Sequence, residues 1–257
     1  MSALRFMSYF WMLKRPCKLP EISIRLFMDL KKEAAAAALS LIRPGSTVGF
    51  GAGSTMVHLI NFVSEDNDLA GSLRVLSSSF PTKELLRKKG FVVAEAGWTA
   101  RVDLYFDGCD QFDRRLSALK SGGGVHTSEK VLAAMADEFI LVGDAAKRVE
   151  RLGAEYPLVL EVIPEALAYV SDRVQRFFQP VRSVVRRSDK KDGAVITERG
   201  NFLIDCWFDP FPEPAVINDR LLGIPGILEH SLFYNLAHRA IVAGPDGIKQ
   251  YSRSGAL

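Results

Sequence analysis

The sequence predicts an α/β protein in which a ferredoxin-like α+β layer is inserted into a Rossmann-like domain with a largely parallel sheet. Three observations carry this. Strand-like runs alternate with helix-like runs from residue 30 to residue 150, the order of successive βαβ units. Small, hydroxyl-bearing or acidic residues follow three of those strands, at 51–55, 77–79 and 107–110, and ligands of parallel sheets lie beyond the carboxyl ends of the strands. From Tyr156 onward the order becomes βαββαβ. A chain of 257 residues has the length for two such domains. The expected division is 29–155 with 233–257 for the parallel-sheet domain and 156–232 for the insertion, behind an N-terminal extension over 1–28.

In that extension the apolar stretch 6–13 is short for a signal peptide and no A-x-A site follows, so it reads as a loosely ordered extension or the product of an upstream start. Asp29 is a ready N-cap for LKKEAAAAALSLI, a helix rich in Ala and Leu. STVGF (46–50) reads as a strand, GAGST (51–55) as a glycine turn, and MVHLINFV (56–63) as a helix. A strand, a glycine turn and a helix N-terminus form an anion cradle or a plain tight turn. LRVLSSS (73–79) is the next strand, followed by helical TKELLRKKG and by the strands FVVAEA (91–96) and VDLYF (102–106). FILVGD (139–144) reads as a buried strand with Lys147 beyond its end.

The insertion is expected to run strand 158–163, helix 164–178, strand 181–187, strand 201–208, helix 213–222 and strand 227–233, with Asp192-Gly193 marking a hairpin. AIVAG (240–244) returns to the first sheet and GPDGIKQY closes the chain.

A formal charge of +3 with scattered basic residues argues against a nucleic-acid partner. No apolar run reaches the ~18 residues of a membrane span. Cys17, Cys109 and Cys206 stand alone, as free thiols of a reducing compartment such as the cytoplasm, and His58, His126, His230 and His238 show no metal-ligand spacing.

One stretch concentrates the chemistry. Asp107 and Asp110 leave the strand 102–106 on a turn that Gly108 relaxes; Lys120 precedes the bend Ser121–Gly124; Thr127 or Ser128 caps a helix continuing through KVLAAMADE. Glu129 then falls in the first turn, where the helix dipole favours its ionised form. Singly these are a loop cap, a turn and a helix charge. Together, a carboxylate beside an ammonium and two further carboxyls is equipment for moving a proton between carbons.

In these residues the chain resembles ribose-5-phosphate isomerase of type A. That family's Asp-Gly-Ala-Asp-Glu turn, Lys-Gly-Gly-Gly run and Glu-Lys helix start correspond to DGCDQ, KSGGG and EK at matching separations. The likeness continues through FILVGDAAK (139–147), LEVIPEA (160–166), IPG (224–226) and GPDGIK (244–249), covering residues 30–251.

The resemblance implies interconversion of ribose 5-phosphate and ribulose 5-phosphate through a cis-enediolate, with no metal and no organic cofactor. Glu129 would be the base moving the proton between C1 and C2, and Lys120 the positive charge beside the enediolate oxygen. Asp107 and Asp110 would bind sugar hydroxyls and assist ring opening. The phosphate would rest on Gly53, Ser54 and Thr55, with Lys31 and Lys147 as counter-charges. Ala52, Gly108, Cys109, Ser121, Gly122 and Gly123 complete the implied substrate-binding set. A homodimer or homotetramer is implied, with subunit contacts through the insertion.

Four positions depart from the family: Ala52 for a hydroxyl residue, Cys109 for Ala, Gln111 for an acid and Ser121 for glycine. His126, where an apolar residue is common, reads as a packed or solvated loop residue. The departures leave a different sugar phosphate, or a silent sugar-phosphate-binding paralogue, as alternatives. A glucosamine-6-phosphate deaminase relative would lack the glycine run and the insertion. A phosphosugar-sensing module would carry an N-terminal helix-turn-helix.

Overall fold

The computed structural model describes residues 29–253, so the expected extension over 1–28 lies outside the described residues. Asp29 accepts the backbone N–H groups of Lys31 and Lys32 and so opens α1 (Leu30–Leu39). β1 (Thr47–Phe50) leads into α2 (Ser54–Glu65) and the short α3 (Asn67–Ser72). β2 (Arg74–Ser77) is followed by α4 (Phe80–Lys88), whose N-cap is Ser79. After β3 (Val102–Asp107) come the two-residue strands β4 (Gln111–Phe112) and β5 (Ala118–Leu119), then α5 (His126–Met135) and β6 (Ala136–Asp144).

The second half runs β7 (Leu158–Val162), α6 (Leu167–Phe178), β8 (Arg182–Val185), β9 (Phe202–Trp207), α7 (Pro214–Leu222) and β10 (Ile227–His230). It ends in β11 (Leu232–Phe233), β12 (Arg239–Gly244) and β13 (Gly247–Ser252). Among the described residues no helix is long and apolar enough to cross a membrane.

The main sheet has the order β13-β12-β6-β3-β1-β2, parallel throughout except for the β12–β13 hairpin. Alternation along its strands gives it two apolar faces. Phe106, Ile140 and Val142 join Ala34, Ala35 and Ala38 of α1 and Met56, Leu59 and Ile60 of α2 in one core. Tyr105, Phe139 and Leu141 point the other way, into a core with Leu132 and Ala133 of α5 and Phe233. Each of the larger of these buried side chains, the Val, Leu, Ile, Met and Phe, contributes about 1.5–3 kcal/mol.

The four-stranded antiparallel sheet has the order β10-β7-β9-β8, and α6 and α7 pack on one of its faces through Val170, Val174, Ile217 and Leu221. A three-stranded sheet, β11-β5-β4, joins the two parts.

The structure corrects four local expectations. FVVAEA makes a single bridge, Val75 to Val93, because it lies beyond the edge strand β2 with Val92 81% exposed. The helix after the glycine run ends at Met135 rather than Glu138, since Ala136 and Glu138 pair with Val102 and Leu104 in the sheet. The strand expected over 227–233 is split between two sheets, its first part pairing with β7 and its last with β5. Thr127 and Ser128 do not cap α5: Val125 occupies the cap position, and both hydroxyls reach across to the second half of the chain.

Candidate active site

The site forms where β3 ends. Asp107, fully buried, accepts the Gly108 and Ala52 N–H groups on Oδ1 at 2.8 and 3.2 Å. Its Oδ2 accepts the Tyr105 hydroxyl at 2.6 Å and stands 2.8 Å from Lys120 Nζ. Glycine is required at position 51 by this approach, since a Cβ there would lie 1.9 Å from Asp107 Cγ. Gly108 has no positive φ; the turn uses its carbonyl, which accepts Lys120 Nζ at 2.6 Å.

Lys120 therefore lies in a fixed cage. Its ammonium is 3.4 Å from Glu129 Oε1 and lies over the Phe233 ring, 5.7 Å from the centroid. Burial alone would depress this ammonium, but Asp107 and Glu129 outweigh it and the pKa is raised. Glu129 stands in the first turn of α5, as expected, yet the dipole does not decide its charge. Burial pushes its carboxyl up to about 7, Asp107 and Asp110 adding to the effect against the pull of Lys120. A carboxyl titrating near neutrality, held against an ammonium, is suited to taking and returning a proton.

The glycine run is anchored from outside. Ser121 donates its N–H to Asp110 Oδ2 at 2.6 Å and its hydroxyl to the Pro157 carbonyl at 2.5 Å. Gly122 and Gly123 are exposed, and Gly124 alone takes a positive φ, +68°. The half-buried Cys109 thiol is pushed up to about 12, chiefly by burial, which leaves it unreactive.

The cradle over Gly51–Thr55 adjoins this cluster through the Ala52 N–H bond to Asp107. Gly53, at φ +93°, turns the chain into α2, and Thr82 Oγ1 donates to the Gly51 carbonyl at 2.9 Å. Lys31 Nζ reaches Ser54 Oγ at 3.2 Å, and Asp29 ties α1 to α2 through His58 at 3.0 Å. A charged ammonium thus stands at the N-terminus of a twelve-residue helix, where an anion is favoured. Lys147 lies over the Tyr156 ring at 5.6 Å, and its charge acts on Cys109.

The structure accordingly brings Asp107, Lys120 and Glu129 into one cluster, with Asp110, Ser121, Gly108 and Cys109 around it and Ala52 bridging to Gly53, Ser54, Thr55 and Lys31. Gln111 is outside it, donating to Glu155 and accepting from the Gly153 N–H. His126 is the buried first residue of α5, not a loop residue, and burial lowers its pKa to about 3. Sequence reasoning missed Tyr105, whose place in an apolar strand hid its hydroxyl. It also missed Lys130, half-buried 5.4 Å from the Phe233 centroid and bonded to Glu229 and the His230 carbonyl.

Comparison with known proteins finds relatives over most of the chain. The model of the family described as ribose 5-phosphate isomerase A (phosphoriboisomerase A) matches residues 74–247. A ribose-5-phosphate isomerase A of Methanothermobacter thermautotrophicus is 36% identical over 228 residues, covering 88% of this chain and 99% of the relative. One of Synechococcus sp. is 34% identical over 220 residues, covering 85% and 94%. A solved D-ribose-5-phosphate isomerase in complex with phospho-erythronic acid superposes with a TM-score of 0.82 at 30% identity, covering 88% of this chain and 98% of that one. The ribose 5-phosphate isomerase A of Methanocaldococcus jannaschii gives 0.79 at 30% identity, covering 87% and 98%.

Proposed function

The chain belongs to the ribose 5-phosphate isomerase A family, and from that premise we propose how its residues carry out the reaction. It is an aldose–ketose isomerase interconverting ribose 5-phosphate and ribulose 5-phosphate, a step of the non-oxidative pentose phosphate pathway. The complex of its structural neighbour with phospho-erythronic acid supports a sugar phosphate as ligand.

Glu129 removes the proton from the carbon next to the carbonyl and returns it to the neighbouring carbon. Lys120 stabilises the oxygen that becomes negative in the cis-enediolate between the two transfers. Asp107 has its oxygens committed to Lys120, Tyr105 and two amides, which supports a role in holding that ammonium as much as in binding the sugar. Asp110 takes sugar hydroxyls and assists ring opening. Gly53, Ser54 and Thr55 with Lys31 and Lys147 hold the phosphate, which makes proton transfer effectively intramolecular. Ala52, Gly108, Cys109, Ser121, Gly122 and Gly123 line the space between.

We read the four-stranded layer as ferredoxin-like, with domain limits of 156–232 against 29–155 and 233–257. Assembly as a homodimer or homotetramer through that layer, and a cytoplasmic location, complete the reading.

The observation that carries the mechanism is the buried row Asp107–Lys120–Glu129, with 2.8 and 3.4 Å between successive groups. Conversion of ribose 5-phosphate to ribulose 5-phosphate by the purified protein, run beside Glu129→Gln, tests it. An active Glu129→Gln protein overturns the assignment of the base.

A further inference from the structure

Arg186 follows β8 in the four-stranded sheet, yet its guanidinium is spent on the glycine run. Nη2 donates to the Ser121 carbonyl at 2.7 Å and Nη1 to the Gly122 carbonyl at 3.1 Å. The other edge of the fork is held by Asp205 of β9, with Nε 3.1 and 3.0 Å from the two carboxylate oxygens and Nη2 2.7 Å from Oδ1. Both side chains are largely withdrawn from solvent, 17% and 12% exposed. A planar fork of five donors meets a carboxylate on one edge and two successive carbonyls on the other; an ammonium has no such geometry.

The segment so gripped connects the two reacting groups. Lys120 immediately precedes Ser121, and Glu129 stands on the helix that begins at His126, just past the run. Ser121 is held by Asp110 and the Pro157 carbonyl, but Gly122 and Gly123 carry no side chains and are exposed, so beyond Ser121 nothing of the run's own resists bending. Leu203 of β9 backs the run further, lying 2.8 Å from where a Cβ on Gly124 would be. The 3.4 Å between Lys120 and Glu129 is thus spanned by a loop whose brace comes from another sheet.

We infer that Arg186, oriented by Asp205, is a positioning residue for the isomerisation: it braces the Ser121–Gly122 backbone and so sets Lys120 against Glu129. The inference rests on the reading of those two as the reacting pair. It makes the four-stranded layer part of the catalytic apparatus through a contact with backbone, not with substrate. The phosphate cradle is built on other elements, the turn after β1 and the start of α1, so affinity for the phosphate end is separable from the brace.

The test is steady-state kinetics on ribose 5-phosphate for Arg186→Ala, Arg186→Lys and Asp205→Asn, with Glu129→Gln alongside. A displacement of about 1 Å at a reacting centre costs about 100-fold, so Arg186→Ala should lose about that much in kcat. KM should change far less than kcat, since the phosphate end is held by elements outside the brace even though Ser121 and Gly122 border the sugar. Millimolar guanidinium should restore part of the lost kcat by refilling the fork. Arg186→Lys keeps a cation against Asp205 and therefore the fold, but should show the same kcat loss. Full kcat in Arg186→Ala, full kcat in Arg186→Lys, or a kcat loss that guanidinium leaves unmoved each overturns the brace. An active Glu129→Gln sinks the reading of the pair, whereas an inert Glu129→Gln beside a fully active Arg186→Ala sinks the brace alone.

Discussion

Lys120 Nζ stands 3.4 Å from Glu129 Oε1, and both side chains are more than nine-tenths withdrawn from solvent. Two opposite charges so buried attract strongly, yet each must also be stripped of water. The balance leaves the lysine charged and the glutamate poised, an arrangement of use to a proton-transfer centre and of little use as a staple.

Glu129→Gln keeps the shape and removes the base. Turnover of ribose 5-phosphate should fall by about 10²–10⁴ with KM nearly unchanged, because the carboxylate acts in proton transfer. Progress curves for ribulose 5-phosphate read this directly.

The pH profile follows from burial of the same group. Glu129 must be ionised to accept a proton, so kcat/KM should rise with pH and level off above about 7. The sign for stability is opposite: a carboxyl raised from 4.5 to about 7 contributes stability below 4.5 and loses it as pH climbs through 7. Glu129→Gln should therefore flatten the decline in denaturant midpoint over that interval.

Lys31→Ala should raise KM for ribose 5-phosphate several-fold, about 1 kcal/mol, with kcat little affected, because an exposed charge at the cradle contributes modestly. The effect should shrink at high salt. Turnover of unphosphorylated ribose, if measurable, should be indifferent to the change.

Ala52→Thr adds a hydroxyl to the cradle. Substrate binding should tighten by about 0.5–1.5 kcal/mol, read as a lower KM or by calorimetry. A sharp weakening instead would mean that Ala52 makes room, and that the preferred ligand is a different sugar phosphate.

Gly51→Ala would drive a methyl group into the Asp107 carboxylate, 1.9 Å from its Cγ. Asp107 must move, carrying Lys120 with it, so activity should collapse and stability drop by about 1–3 kcal/mol in urea titration. Gly53→Ala meets no neighbouring atom and should suffer only from its φ of +93°.

Much of this was legible in the sequence because local rules and tertiary need agreed. The capping of α1 by Asp29, the strands β1, β2, β3, β6 and β12 of the parallel sheet and β7, β8 and β9 of the four-stranded one follow from periodicity and turn chemistry. The misreadings share a cause. Thr127 and Ser128 look like caps, but their hydroxyls are taken by Glu161 and Arg199, partners distant in sequence. FVVAEA has strand chemistry but only a one-residue bridge to the sheet. The upward shift of Glu129 is not legible in the sequence, because a first-turn position is visible there and its burial is not. Arg186 reads as one more basic residue in a basic strand, and only the sheet order brings it to the glycine run.

Contacts at three points bind α5 and the run before it to the other half of the chain: Ser121 and Gly122 to Arg186, Thr127 and Ser128 to Glu161 and Arg199, and Lys130 to Glu229. The reacting segment is thus stitched at its beginning, middle and end to a neighbouring body, and neither body can loosen without dismantling the chemistry. With the reacting segment held from both sides, loss of function on heating or in denaturant should coincide with separation of the two bodies.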